Sequence, residues 1–73
     1  MTPDQKIHLS IAIHEAMKKT TKWNKAWWND EMINAILNLA SVSGYIHRPS
    51  VTQVQYTKKG VRLIQNYLPA SVR

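Results

Sequence analysis

The segment from Gly44 to Gly60, GYIHRPSVTQVQYTKKG, limits the fold of this chain more than any other stretch. It is rich in β-branched and aromatic residues, and Val54 and Tyr56 alternate with glutamines at the two-residue period of a half-buried strand. Pro49 favours a turn between the two halves because its ring fixes φ. The segment therefore predicts a β-hairpin with one face against the rest of the molecule.

A helix is expected to begin near Pro3. Thr2 and Gln5 have the spacing of a capping box, and proline suits the first helical position because its missing N–H costs nothing there. One stripe of this helix is apolar and is predicted to face the core: Leu9, Ala12, Ile13, Ala16 and Met17. Ile7 and Ile11 fall on another side, so they need cover from a later segment or from a dimer partner.

A second long helix is predicted from about Asp30 to Ser43, with Asn29 as its N-cap and Gly44 as the left-handed residue after it. Asp30 and Glu31 lie in its first turn, where the helix dipole favours acids. Its apolar side is expected to hold Met32, Ile33, Ile36, Leu37, Leu39 and Ala40. Its polar side is expected to hold Glu31, Asn34, Asn38 and Ser41.

Two further helical segments complete the order. A short helix from about Lys22 to Trp28 would place Trp23 and Trp27 on one face. The tryptophans, with Lys22 and Lys25 among them, fit either core packing or stacking on single-stranded bases. The last helix, KKGVRLIQNYL, is capped by Thr57 and ended by Pro69. It packs through either Val61, Ile64 and Leu68 or Leu63 and Tyr67.

Length and composition bound the class of protein. A chain of 73 residues forms one domain, over residues 1–73, whose stability is marginal. The absence of cysteine fits a reducing compartment, and neither a signal peptide nor a membrane span is indicated, so a cytoplasmic location is expected. The formal charge of +6 favours a polyanionic partner such as nucleic acid, and it also suits simple solubility.

Catalysis has little support in the sequence. His8, His14 and His47 lack the spacing of a helical metal pair, and the chain has only four carboxylates and no glycine-rich phosphate loop. We therefore expect no enzyme, no metal and no cofactor.

Two motifs carry a resemblance to a known class. The run NDEMINAILNLASVSGYIHR looks like a recognition helix that passes through a glycine into a first wing strand. The run VQYTKKGVRLI is similar to a second wing strand followed by a Thr-x-x-Gly helix start. In this order they resemble the winged helix-turn-helix domains of small bacterial regulators of the PadR and MarR type, over residues 29–64. The resemblance implies a mainly α winged-helix fold with the order helix, short helix, helix, two-stranded wing, helix.

The same resemblance implies binding of duplex DNA by a small transcription regulator. The small size of the chain suits a regulator of phage or mobile-element type, and the face with Ile7 and Ile11 offers a route to a homodimer. Asn34 and Asn38 would read bases in the major groove, with Ser41 on the same polar face. Arg48 would contact DNA from the wing. Lys22 and Lys25 would flank the duplex.

A phosphate seat is predicted at the start of the last helix. Lys58 and Lys59 oppose the helix dipole there, so local stability does not explain them. A phosphate bound by both lysines, Thr57 and a flexible Gly60 would explain them. Asp30 and Glu31 argue against groove entry because they repel phosphates.

Two other functions stay open. One is a protein-binding module or small viral inhibitor of a host nucleic-acid enzyme, which would act through Ile7, Ile11 and Trp28. The other is single-stranded nucleic-acid binding through the tryptophans.

Overall fold

The computed structural model describes residues 1–20, 27 and 29–73. In these ranges the chain forms three helices and a two-stranded antiparallel hairpin. The order is α1 (Pro3–Thr20), α2 (Glu31–Val42), β1 (Ile46–Ser50), β2 (Gln53–Tyr56) and α3 (Lys58–Tyr67). The mainly helical order with a hairpin before the last helix is confirmed. Apart from Trp27, the predicted short helix over residues 22–28, with Lys22, Lys25 and Trp28, lies outside the described residues.

Local capping signals position the helix ends. The Thr2 amide donates to Gln5 Oε1 and the Gln5 amide donates to Thr2 Oγ1, at 2.9 and 3.2 Å, so the capping box of α1 is confirmed. The N-cap of α2 is Asp30, which accepts from the Ile33 amide, and not Asn29. Asp30 takes this position because its carboxylate reaches the third helical amide and also favours the positive end of the dipole.

The core lies where α1, α2, α3 and the hairpin meet. Its buried side chains are Ile13, Ala16, Trp27, Ile33, Leu37, Ala40, Tyr45, Ile46 and Leu63. Of the two packing sets left open for α3, the one with Leu63 and Tyr67 packs on the core. In the other set Val61 is exposed and Ile64 is half-buried, whereas Leu68, which follows the helix, is buried. Trp27 is a core residue, so it is withdrawn from base stacking.

α1 is embedded more broadly than its predicted stripe. Ser10 is fully buried, and its hydroxyl donates to the Ile7 carbonyl at 2.7 Å, which satisfies the polar group without a partner on another helix. Ile7 and Ile11 are half-buried, so the chain itself covers part of the side that seemed to need a partner. None of the described helices has the length and hydrophobicity that crossing a bilayer requires.

The hairpin differs from the prediction at its turn. Pro49 lies within β1, and the turn is formed by Val51 and Thr52. The register pairs His47 with Gln55 and Ser50 with Gln53, so β1 carries one extra residue between these pairs. Proline fits this bulge because it has no N–H to donate to the partner strand. The apolar residues of the strands, Ile46, Val54 and Tyr56, face the core as predicted.

Candidate nucleic-acid interface

The outer face of α3 carries the largest group of exposed cations on a described helix. Lys58, Arg62 and Gln65 are spaced i, i+4 and i+7, so they form one stripe along the helix. All three are exposed, and Lys59 and Asn66 flank the stripe. α3 contains no acidic residue. This face is therefore positively charged in its N-terminal half and continues with the neutral amides of Gln65 and Asn66 in its C-terminal half.

The start of α3 is fixed tightly against the end of α2. The Thr57 hydroxyl donates to the Gly44 carbonyl at 2.5 Å and accepts from the Gly60 amide at 3.2 Å, and the Thr57 amide donates to the Tyr45 carbonyl at 3.1 Å. Gly60 is buried, and a Cβ there would lie 1.9 Å from the Tyr45 carbonyl oxygen. Position 60 therefore requires glycine because the Tyr45 backbone lies too close for a side chain. This corrects the expectation that Gly60 supplies flexibility.

Lys59 has a role within the chain. Its ammonium donates to the Ser43 carbonyl at 2.8 Å and lies 4.7 Å from the centre of the Tyr45 ring. Ser43 is the C-cap of α2, so a cation there complements the negative end of that helix. The expectation that local stability explains neither lysine is wrong for Lys59, because the dipole penalty in α3 is offset at the end of α2.

Lys58 and Arg62 remain without such a role. Both side chains are exposed, and neither forms a hydrogen bond or ion pair with the residues that the structure describes. They line a shallow groove together with Tyr56, Thr57, Val61 and Gln65. Two cations one turn apart beside a groove can bind two phosphates or one phosphate from both sides.

Arg48 joins the hairpin to α2. Its guanidinium donates to Asn38 Oδ1 at 3.0 Å, to Asn34 Oδ1 at 2.7 Å and to the Val51 carbonyl at 3.2 Å. Asn34 also donates from Nδ2 to the Asp30 carbonyl at 2.9 Å. The structure therefore brings together three of the predicted DNA-binding residues. Their polar atoms, however, hydrogen-bond to one another, and Arg48 is half-buried.

The other predicted site residues are dispersed. Ser41 is half-buried, and its carbonyl accepts from the Gly44 amide at the end of α2. Thr57, Lys58 and Lys59 lie near that same end, whereas Asn34 lies in the first turns of α2. The predicted phosphate seat thus lies beyond the C-terminal end of α2, whereas the predicted base-reading amides of Asn34 and Asn38 lie in its first turn and in its middle.

The outer face of α2 carries an apolar stripe beside the exposed Glu31 and Asn38. Met32, Leu39 and Val42 are 73%, 57% and 88% exposed, and Ala35 lies between them. This corrects the expectation that Met32 and Leu39 face the core. The apolar residues of α2 extend over more than half of its circumference, and its neighbours cover only the side of Ile33, Leu37 and Ala40. No Lys or Arg occurs in α2.

Sequence reasoning missed Arg62, Gln65 and Asn66. The signal was present, because Lys58, Arg62 and Gln65 follow the helical period in the printed sequence. Two packing faces were open for α3, however, and the choice between them decides which residues face solvent. The contact of Gly60 with Tyr45 makes that choice.

Tyr56 lines the groove beside Lys58 and Arg62, and its phenol oxygen is buried. Its hydroxyl has no hydrogen-bond partner among the described residues, and burial raises its pKa above the ordinary value of 10.0.

No cluster of three or more metal-binding side chains occurs within the described ranges. Comparisons with protein-family models, curated proteins and solved structures found no match for the chain.

Proposed function

We propose that this protein binds duplex DNA as a small winged-helix-like regulator and that it does so through the outer face of α3. The observation that carries the proposal is the stripe of Lys58, Arg62 and Gln65, exposed along a helix without acids. Exposed cations on one helix face are the electrostatic footprint of a phosphate-binding surface. The formal charge of +6 adds long-range attraction.

α3 is a helix of 10 residues with one exposed polar face, a form that can enter the major groove of a duplex. The major groove admits an α-helix, and carboxamide side chains form bidentate contacts with adenine there. Gln65 and Asn66 supply two such amides, and Lys58 and Arg62 contact the flanking phosphates. The helix is held rigidly for this role by its Thr57 cap and by the close packing of Gly60.

α2 is the poorer candidate for groove entry. It has no cation, its N-cap Asp30 and its first residue Glu31 are acidic, and much of its exposed surface is apolar. The Oδ1 atoms of Asn34 and Asn38 already accept from Arg48. In this proposal Arg48 and the two asparagines hold the hairpin against α2. The winged-helix resemblance assigned the role of recognition helix to α2, and we assign that role to α3.

The experiment is a titration of fluorescently labelled duplex and single-stranded oligonucleotides over a range of salt concentrations. Log K for duplex should fall linearly with log salt. Lys58→Gln and Arg62→Gln should each weaken binding to all sequences and reduce the slope by about one. Lys19→Gln is the matched control, since it removes one exposed charge from the end of α1. Its slope should stay that of the wild type.

Three results would reject this function. One is absence of duplex binding even at low salt. Another is an equal loss in all three variants, which would indicate net charge alone. The third is a preference for single strands, which would favour the tryptophan segment as the binding surface.

A protein-binding module is the second candidate, and the apolar outer face of α2 is the observation that favours it. Monomeric proteins rarely leave such contiguous apolar surface to solvent. This candidate does not compete with the first for the same residues, because the apolar face lies on α2 and the cations lie on α3.

A further inference from the structure

We propose that the outer face of α2 is a homodimer interface on which α2 of a second copy packs antiparallel. The face consists of Met32, Ala35, Leu39 and Val42, at spacings that place them in one stripe. Three of the four are large apolar side chains that are more than half exposed. This surface is separate from the cationic face of α3, so the inference does not rest on DNA binding.

The spacing of the stripe fits a second copy of the same helix. Met32 and Val42 stand five residues before and after Leu37, and Ala35 and Leu39 stand two before and after it. A two-fold axis at this level pairs Met32 with Val42 of the other copy and Ala35 with Leu39. A small residue then opposes a large one, which allows the two helices to approach closely.

The charges at the two ends of α2 are also self-complementary. Glu31 is exposed at the N-terminal end, and the Lys59 ammonium lies on the Ser43 carbonyl at the C-terminal end. Glu31 and Ser43 stand six residues before and after Leu37. The same two-fold axis therefore places Glu31 of each copy at the level of the α2 end that carries Lys59 in the other copy, twice per dimer. The antiparallel helix dipoles add to this attraction.

Charge also argues against a parallel pair. In that arrangement the two Glu31 carboxylates would meet at one end and the two Lys59 ammonium groups at the other. Like charges in contact are unfavourable and would select the antiparallel register. The absence of any cation within α2 removes repulsion along the rest of the interface.

The dimer should be weak. α2 has 12 residues, so a helix of its length is about 18 Å long. One helix face of this length buries less than the roughly 800 Å² per partner of a standard interface. We expect association at protein concentrations of roughly 10 μM to 1 mM, where the mass of the 8.4 kDa chain should approach twice that value.

The test is sedimentation equilibrium without DNA over that concentration range. Leu39→Glu and Val42→Glu should each abolish the dimer, because a buried unpaired carboxylate is costly. Val61→Glu is the matched control, since it makes the same change at a 42% exposed position of α3 and should leave the dimer intact. Circular dichroism verifies that each variant is folded. A wild type that stays monomeric would overturn the proposal and leave the face to another protein.

Crosslinking tests the orientation without relying on a disruptive variant. The chain has no cysteine, so Met32→Cys and Val42→Cys chains can be mixed and treated with a short thiol-reactive crosslinker. The antiparallel register predicts that the mixture forms mostly crosslinked pairs of unlike variants. Equal or stronger crosslinking of each variant with itself would overturn the proposed register.

Discussion

At the scale of single residues, the two glycines have different physical roles. Gly44 has a φ of +83°, and a Cβ there would meet only the Lys59 side chain, at 3.7 Å. Gly60 is needed because of the Tyr45 carbonyl and not because of its own backbone dihedral. The Thr-x-x-Gly pattern is visible in the sequence, but the contact that requires its glycine joins positions 15 residues apart and becomes visible only in the fold.

This difference predicts the relative cost of two substitutions. Gly44→Ala should lower the free energy of unfolding by about 1 to 2 kcal/mol, the cost of a side chain in the left-handed region. Gly60→Ala should cost about 3 kcal/mol, because the clash is with the Tyr45 carbonyl oxygen, and hydrogen bonds from Thr57 to the Gly44 and Tyr45 carbonyls hold this segment close to α3. Urea denaturation of both variants measures these changes. Equal losses would show that the close contact at Gly60 relaxes freely.

The buried phenol of Tyr56 predicts a dependence of stability on pH. Its pKa is raised by burial, so at high pH the folded state binds the phenolic proton more tightly than the unfolded state does. The resulting stabilisation is fully present below the ordinary value of 10.0 and is lost as the pH rises through the raised pKa.

Tyr56→Phe tests that dependence. The variant should be as stable as the wild type or more stable at neutral pH, because the buried hydroxyl has no partner among the described residues. Its free energy of unfolding should also fall less between pH 9 and pH 11. Denaturation curves at these pH values provide the measurement. A large loss of stability at neutral pH would mean that the hydroxyl has a partner after all.

At the scale of elements, the helix caps could be predicted from the sequence, but the side of each helix that faces the core could not. The capping box of α1, the Thr57 cap of α3 and the left-handed Gly44 depend on residues within a few positions of one another. The orientation of α2 depends on how much of its wide apolar side its neighbours cover, and that quantity is not local. The same limit explains why the sequence did not predict the hydrogen bonds of Arg48 with Asn34 and Asn38 of α2.

The two lysines at the start of α3 test whether the contact of Lys59 with the C-terminal end of α2 stabilises the fold. Lys59→Met keeps the aliphatic chain but removes the ammonium that caps Ser43, so it should lower the free energy of unfolding by about 1 kcal/mol. Lys58→Met makes the same change without losing a contact in the described structure, and its stability should equal that of the wild type or exceed it slightly. Thermal denaturation at low ionic strength distinguishes them. Indistinguishable variants would show that the cap contributes nothing.

At the scale of the whole molecule, charge and apolar surface are sorted onto different helices. α2 has an acid and no cation, and its exposed face is apolar, whereas α3 has three cations and no acid. A homodimer through α2 would therefore carry two copies of the α3 face. In the proposed dimer, one partner could therefore be contacted by two α3 faces, where a single copy of the chain offers one.

That arrangement predicts how the salt dependence of DNA binding scales with oligomeric state. Above the concentration at which it dimerises, the wild type should neutralise about twice as many phosphates on a long duplex as the Leu39→Glu monomer does. The slope of log K against log salt should therefore be about twice as steep for the wild type. Val61→Glu is unsuitable as a control here, because its charge lies on α3; Val51→Glu, at the exposed hairpin turn, replaces it. Equal slopes for the wild type and Leu39→Glu would mean that only one α3 face of the dimer reaches the DNA.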